Sequence, residues 1–545
     1  MKKRMLCLLL AVALCVTLFS ACGGDSSSGN NSGSKAESSE AGASESGEGS
    51  SEASAGETGN GVDLSKKSHL IMWSPGTPSR DHNRIVEKLS ALTERDLNAS
   101  LEWNRFQDTA KLNLLLTSGE PIDLIYTANY QNYAVYAAKD AFRPLDEFLP
   151  EISPALDQYV TGEMWDAARV NGTIYMVPCM WPEWVPYGFL WREDLRKKYN
   201  LPEITDDIST IEAYMEGIKQ NEPDMQVTGE VVSTYGSIGS HFTTWEFLDR
   251  KYKWADFRVP YGLYIDYQDP TKVIDWWETE EFASDMKMFK SWADAGYWSR
   301  SSLANTENKQ DAFEAGKTAC DLAFNSPSGY ANLVSRVAAS HPDWELGWQP
   351  HYRVKNLATP NHATQNGMSI PNSANEPERG LLLLEKLVLD EEYFRLSQYG
   401  EEGVDYNVTE DGYYEAVGDS TTAGFPREAG SLWSTRNTEF MLYPEATAQI
   451  LNELNSEFET YTYPNIWTGF AEDTTPYQSE KAALANVITE YLPPIQAGLV
   501  DDVDAAIAEF LEKAKVAGLD KIREEYKRQW LAYVEEHNIQ PTTVK

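Results

Sequence analysis

The chain has 545 residues, 42% hydrophobic and 24% charged, an ordinary balance for a soluble folded protein and enough length for two lobes with a large core. Its 84 acidic against 46 basic residues give a formal net charge of −38. A field of that sign repels nucleic acid and anionic lipid headgroups, so neither is expected as a partner.

Lys2, Lys3 and Arg4 precede an apolar run, Met5 to Phe19, that is short for a permanent membrane span and reads as a signal sequence. The run ends in Leu18-Phe19-Ser20-Ala21-Cys22. Small residues directly before a cysteine resemble the bacterial lipobox, although Phe19 stands where Leu is usual. That resemblance implies a lipoprotein signal peptide over residues 1–22, cleavage, and lipidation of Cys22. Residues 23–62 are nearly all Ser, Gly, Glu and Ala with no aromatic residue, a composition that cannot order itself and serves as a flexible tether. The expected location is outside the cytoplasm, anchored to the cell membrane by the lipidated cysteine. Of the five cysteines, Cys7 and Cys15 leave with the signal, and Cys179 and Cys320 remain in the body. Two buried free thiols are the expected state, with pairing left open by a separation that says nothing about proximity.

The folded body opens with a strand at His69–Trp73, a turn at Ser74-Pro-Gly-Thr-Pro78, and a helix from Asp81 with Ile85, Leu89 and Leu92 on one face. Leu101 and Trp103 mark a second strand. Asp108 caps a second helix, which buries Leu112, Leu115 and Leu116 and stops at Gly119. Ile122–Tyr126 is a third strand. This alternation predicts a parallel sheet covered by helices, with ligand chemistry beyond the strands' carboxyl ends, at Trp73–Arg80 and Tyr126–Tyr130. Asn171–Leu195 reads NGTIYMVPCMWPEWVPYGFLWREDL. Its two β-prone runs, Gly172–Val177 and Tyr187–Trp191, flank a Pro- and Trp-rich corner, so it is expected to carry the chain from one lobe to the other.

Leu112-Asn-Leu-Leu-Leu-Thr-Ser-Gly-Glu-Pro-Ile-Asp-Leu124 resembles a signature of extracellular solute-binding proteins of bacterial ABC importers, the maltose-binding-protein-like class (family 1). Ala141–Phe148, Val170–Pro178, Leu190–Leu195, Phe289–Tyr297 and Phe313-Glu-Ala-Gly-Lys317 follow in the family's usual order. Tyr399–Gly403 and Ala517–Gln529 resemble the C-terminal region of a lipoprotein subgroup common in Gram-positive bacteria. The resemblance spans about residues 65–535 and rests on order, since no single motif decides it. It implies an α/β, two-lobed periplasmic-binding-protein-like fold (type II class) with hinge strands and a helical C-terminus. Lobe 1 would take residues 63–178 with a return segment at about 351–400, and lobe 2 residues 179–350. Residues 401–545 would form a hairpin, at Tyr406–Tyr414, and helices packing on the lobes. Gly367–Pro371 is expected as the returning strand and Glu376–Leu389 as the helix after it. The last 45 residues are expected to be helical.

No Walker loop, HExxH, Gly-x-Ser-x-Gly elbow or dinucleotide fingerprint occurs, and the seven histidines are scattered without ligand spacing. Neighbouring carboxylates are expected by chance among 84 acidic residues, so they single out no catalytic pair. No catalytic residue, cofactor or metal is therefore expected. The abundant chemistry is aromatic, with 17 Trp and 29 Tyr. A sugar offers an apolar C–H face to an indole or phenol and a rim of hydroxyls to polar side chains, which suits a cleft of this composition. Most such residues pack cores, so cleft candidates are those in corners or at strand ends. Trp181 and Trp184 lead, then Trp73, Trp433 and Trp467, with Trp245 and Trp298 as second-lobe loop candidates. Arg80, Asn129 and Glu183 are the polar partners expected, and Asp123 is expected to be structural.

The reading that follows is a lipid-anchored, monomeric binding component that captures a carbohydrate, an oligosaccharide above all, and delivers it to ABC permease subunits in the membrane. The alternatives are a binder of peptide or another small polar solute, a surface glycoside hydrolase, and a sensor partner of a membrane kinase.

Overall fold

The computed structural model describes residues 61–181, 186–229, 243–255, 259–304, 307–418, 423–467, 470 and 472–544. These residues lie in one compact unit, 55–545. The elements used below are, in chain order, β1 (Ser68–Pro75), α1 (His82–Leu97), β2 (Ala99–Phe106), α2 (Thr109–Ser118), β3 (Leu124–Thr127), β4 (Val177–Pro178) and β5 (Tyr187–Arg192). There follow α3 (Ile208–Asn221), β6 (Gln226–Thr228), α4 (Glu280–Ala295), β7 (Thr318–Asn325), α5 (Pro327–Ser340), β8 (Leu346–Pro350) and β9 (Gly367–Ser369). The C-terminal part holds α6 (Pro377–Leu389), α7 (Glu391–Tyr399), α8 (Glu445–Tyr461), α9 (Gln478–Gln496), α10 (Val503–Val516) and α11 (Leu519–Glu536).

Lobe 1 is built on a five-stranded sheet in the order β2-β1-β3-β9-β4. In β1 the side chains alternate, with Leu70 and Met72 fully buried. In α1 the buried positions Ile85, Leu89, Thr93 and Leu97 recur every four residues and lay one stripe on the sheet. Asn98 ends that helix in the left-handed region at φ 46°. The Asp108 carboxylate accepts the Lys111 N–H at 2.7 Å to open α2, and Gly119 closes it at φ +73°. Strands β1, β2 and β3 are parallel, as the alternation predicts. Strand β9 runs antiparallel to both β3 and β4, because it enters the sheet from the other lobe and not through a covering helix.

Lobe 2 is built on a four-stranded sheet in the order β8-β5-β7-β6. Strand β5 pairs antiparallel with β7 and β8, and only β7 with β6 is parallel. Two glycines let indoles lie flat across this sheet: a Cβ at Gly347 would sit 2.2 Å from the Trp191 ring, and one at Gly188 2.4 Å from Trp348 Nε1. The large core beneath it joins Phe189, Ile211 and Tyr214 to Trp276, Trp277 and Trp292, and takes in Leu484 of α9, Phe510 of α10 and Trp530 of α11. The C-terminal helices are thus part of this lobe's core. Helix α11 ends at Glu536, so the helical stretch stops short of the terminus. The hairpin Tyr406–Val408 with Tyr414–Ala416 packs through its tyrosines on Phe394 and Tyr399 of α7.

Candidate functional site

The segment from β4 to β5 leaves the first sheet at Pro178 and enters the second at Tyr187. The chain comes back from β8 to β9, again between the two sheets. A third passage runs from the turn at Trp433–Thr435, which packs beside β9, to α8, which packs on α5. The passages meet next to the carboxyl end of β3. There the backbone N–H of Cys179 donates to Asn366 O at 2.9 Å, and its thiol donates to Trp433 O at 3.2 Å. Cys320 lies in β7 with its thiol on Val227 O at 3.2 Å, while Cys179 follows β4 of the other sheet, and the two are not joined in a disulfide. Burial pushes the Cys320 thiol far above its ordinary value, which leaves it a packing residue.

Trp181 is half-buried, with its ring centroid 6.2 Å from that of Tyr443. The Arg427 guanidinium lies 4.7 Å over the Tyr443 ring and donates to Asn332 Oδ1 of α5 at 3.3 Å. Arg427 and Arg436 both pair with Glu428, at 3.1 and 2.6 Å. Burial pushes the Glu428 carboxyl up, but the Arg436 and Arg427 charges together hold it below its usual value, so it stays ionised. Trp433 is half-buried and meets Tyr126 edge-on at 6.2 Å. The Tyr126 hydroxyl is shared between Asn366 Oδ1 and the hydroxyl of Tyr130, the latter at 2.7 Å. Tyr130 is 36% exposed and follows Asn129 in the 3-10 turn Asn129–Gln131, which packs beside the turn Ala363–Gln365 of the second passage. Flat rings, phenol hydroxyls, a carboxylate and two guanidiniums therefore converge where the sheets are joined, the set of groups that a polyhydroxylated ring requires.

The sequence candidates divide. Trp181, Trp433 and Asn129 come to this region. Trp73 is half-buried in β1 with Lys111 Nζ 5.5 Å over its ring, and Arg80 is exposed beside Asp81 at 3.2 Å, both at the lip formed by the end of β1. Trp467 lies against the second passage, edge-on to His362 at 5.5 Å. Trp298 does not belong to a cleft: it is 2% exposed, and its indole N–H donates to Ala497 O at 3.0 Å, inside the core that joins α4 to α9. A loop position after Gly296 looked accessible, but the C-terminal helices cover it. Trp245 lies in the helix Thr243–Leu248 and not in a loop, and its side chain is outside the described residues. Glu183, Trp184 and Cys22 also fall outside them. Sequence reasoning did not single out Tyr130, Tyr443, Arg427, Glu428 or Arg436. Tyr130 lay within the predicted rim, whereas the segment 427–443 carries no motif and reaches the site only through the third passage. Two surface depressions, of about 460 and 490 Å³, lie elsewhere, one between α5 and α8 at Tyr330 and Leu454, the other beside the hairpin at Tyr414 and Pro444.

A family model described as a domain of unknown function (DUF3502) matches residues 466–535, the region of α9 to α11. A carbohydrate ABC transporter substrate-binding protein of Streptococcus pneumoniae serotype 4 is 26% identical over 501 residues, covering 86% of this chain and 91% of the relative. The N-glycan transport solute binding protein (NgtS) of Streptococcus pneumoniae superposes at a TM-score of 0.68 with 21% identity, over 86% of this chain and 100% of that one. An extracellular solute-binding protein of Bifidobacterium longum subsp. infantis superposes at 0.61 with 15% identity, over 87% and 99%. The chain has the two-lobed α/β fold of the extracellular solute-binding proteins of bacterial ABC importers, the family that its sequence resembles.

Proposed function

We propose that this chain is the solute-binding component of an ABC importer, capturing an oligosaccharide between its lobes and delivering it to the permease. The observation that carries this reading is the convergence of Trp181, Trp433, Tyr130 and Tyr443, with hydroxyl and charged partners, where the passages between the sheets meet the end of β3. Contacts from both lobes favour the state in which they are closed on the ligand, and the permease reads that state. Support comes from the Streptococcus pneumoniae relative, which is named for carbohydrate, and from NgtS, which has been solved with Man1GlcNAc and Man5GlcNAc. On this reading residues 1–22 are a signal, Cys22 carries the lipid, residues 23–62 are the tether, and the monomeric body binds without turnover.

A thermal-shift panel of neutral oligosaccharides, peptides and polyols on the chain lacking residues 1–22 tests it. A sugar present at about 100 times its Kd should add about 2.7 kcal/mol of stability. Stabilisation by peptides alone would sink the carbohydrate assignment, and hydrolysis of a bound oligosaccharide would make the protein an enzyme. For the anchor, Cys22→Ser should leave the protein in the soluble fraction of cells, and persistent membrane association would refute lipidation at that residue.

A further inference from the structure

Arg105 is the penultimate residue of β2, in register with Ser74 of β1, at the carboxyl end of the first sheet. Its guanidinium reaches across the strand ends to Gly430 O and to Ser431 Oγ, the latter at 2.9 Å, and lies 5.7 Å from the Trp103 ring. The chain has made room for it. A Cβ at Gly76 would lie 2.8 Å from Arg105 Nη2, and Gly76 itself adopts φ +99°, so glycine is needed there for space and for backbone alike. The guanidinium is half-buried, and among the described residues its Nε has no hydrogen-bond partner. Burial lowers its pKa to about 10, with no carboxylate of the described residues in the balance, and it remains charged at neutral pH. Half-buried Arg84 and Arg436 are compensated by Asp405 and Glu428, both at 2.6 Å, and buried Arg192 by Asp194 at 2.7 Å, whereas half-buried Arg143 and buried Arg250 have no ion pair among the described residues. Among the described residues Arg105 has no such ion pair. A desolvated cation without a counter-charge costs stability unless an anion arrives to pair with it.

In a chain of net charge −38 the anion does not come from the surroundings by default. The general negative field, however, is screened beyond about 8 Å at physiological ionic strength, so a single cation at the strand ends sets the local preference. A guanidinium presents parallel N–H donors that match a carboxylate, and Ser431 supplies a hydroxyl beside it. We propose that the lobe-1 lip at Arg105, Gly76 and Ser431 is a specificity subsite for a carboxylate-bearing sugar residue, so that the protein takes an acidic oligosaccharide in preference to its neutral counterpart. This rests on the carbohydrate-binding reading above.

The test is calorimetry with matched pairs: trigalacturonate against its methyl ester, and sialyllactose against lactose. At least one acidic member should bind more tightly than its neutral partner by about tenfold or more. Raising NaCl from about 0.1 to about 1 M, which shortens the screening length from about 10 to about 3 Å, should narrow that gap. Arg105→Gln, checked for an intact melting transition, should reduce the acid-over-neutral ratio by about tenfold, because the ratio removes any general loss of folding or affinity. If neutral members bind as well as or better than acidic ones, the subsite is refuted while carbohydrate binding stands. A preserved ratio in Arg105→Gln refutes it too, leaving Arg105 as a clamp on the segment at Gly430. If no saccharide of either kind binds, the carbohydrate reading itself falls.

Discussion

Trp298 donates its indole N–H to Ala497 O and packs against Trp292 within the core that holds the C-terminal helices. Removing it leaves a large void and a backbone carbonyl without its partner. Trp298→Ala should therefore cost about 3–5 kcal/mol of stability, read as a lowered denaturation midpoint, with ligand affinity retained. Trp181 is the opposite case. It is half-buried, and its ring meets Tyr443 on the third passage. Trp181→Ala should weaken oligosaccharide binding by about 1–3 kcal/mol and shift the midpoint little. A midpoint drop comparable to that of Trp298→Ala would reassign Trp181 to the core. Asp123 is a third kind of residue. Its carboxylate accepts the N–H groups of Ile71, Asn375 and Glu376 at 2.8–3.0 Å, stitching β1 to the start of α6. Its structural role is expected from its place in the motif at the start of the third strand, and the three backbone donors it accepts give that role its physical content.

At the scale of elements, periodicity gave most of lobe 1. The stripes of α1 and α2, the caps at Asp108 and Gly119, the strand at Gly367 and the hairpin turn at Gly412, with φ +86°, all follow from local chemistry. Strand direction in the rest did not follow. Whether β9 runs with or against β3 depends on where the chain has been since β4, and a hinge crossing reverses it without leaving a local mark. In the second sheet β5 is flanked by two antiparallel neighbours for the same reason. The candidate site was legible only where it coincided with strand ends or with the Pro- and Trp-rich corner. The cluster of Arg427, Glu428, Arg436 and Tyr443 lies more than 240 residues from that corner, and no spacing in the sequence connects them. The same holds for Arg105, whose importance depends on the carboxylate it lacks, a fact that only the fold can supply.

For the molecule as a whole, the root of the hinge in lobe 2 carries a titrating group. Glu246 is buried, and Lys309, Tyr187, Asp321 and Asp249 act on its charge. Tyr187 opens β5 where the first passage arrives. The buried His351, which follows β8 where the second leaves, is held neutral by burial and by the charges of Arg250 and Lys355. Burial pushes the Glu246 carboxyl up to about 7, with Lys309 and the Tyr187 hydroxyl opposing and Asp321 and Asp249 adding to it. In the unfolded chain the same group titrates near 4.5. Between those values the folded state binds the extra proton, so its contribution to stability is complete below about pH 4.5 and is lost as the pH rises through about 7. At about 1.36 kcal/mol per unit the loss is roughly 3 kcal/mol. Glu246→Gln keeps the neutral shape without a proton to lose. Its stability relative to the parent should therefore rise from pH 5 to pH 8 by an amount of that order, measured by urea unfolding at each pH. A difference that stays flat across this range would show that Glu246 is already ionised in the fold, compensated by Lys309.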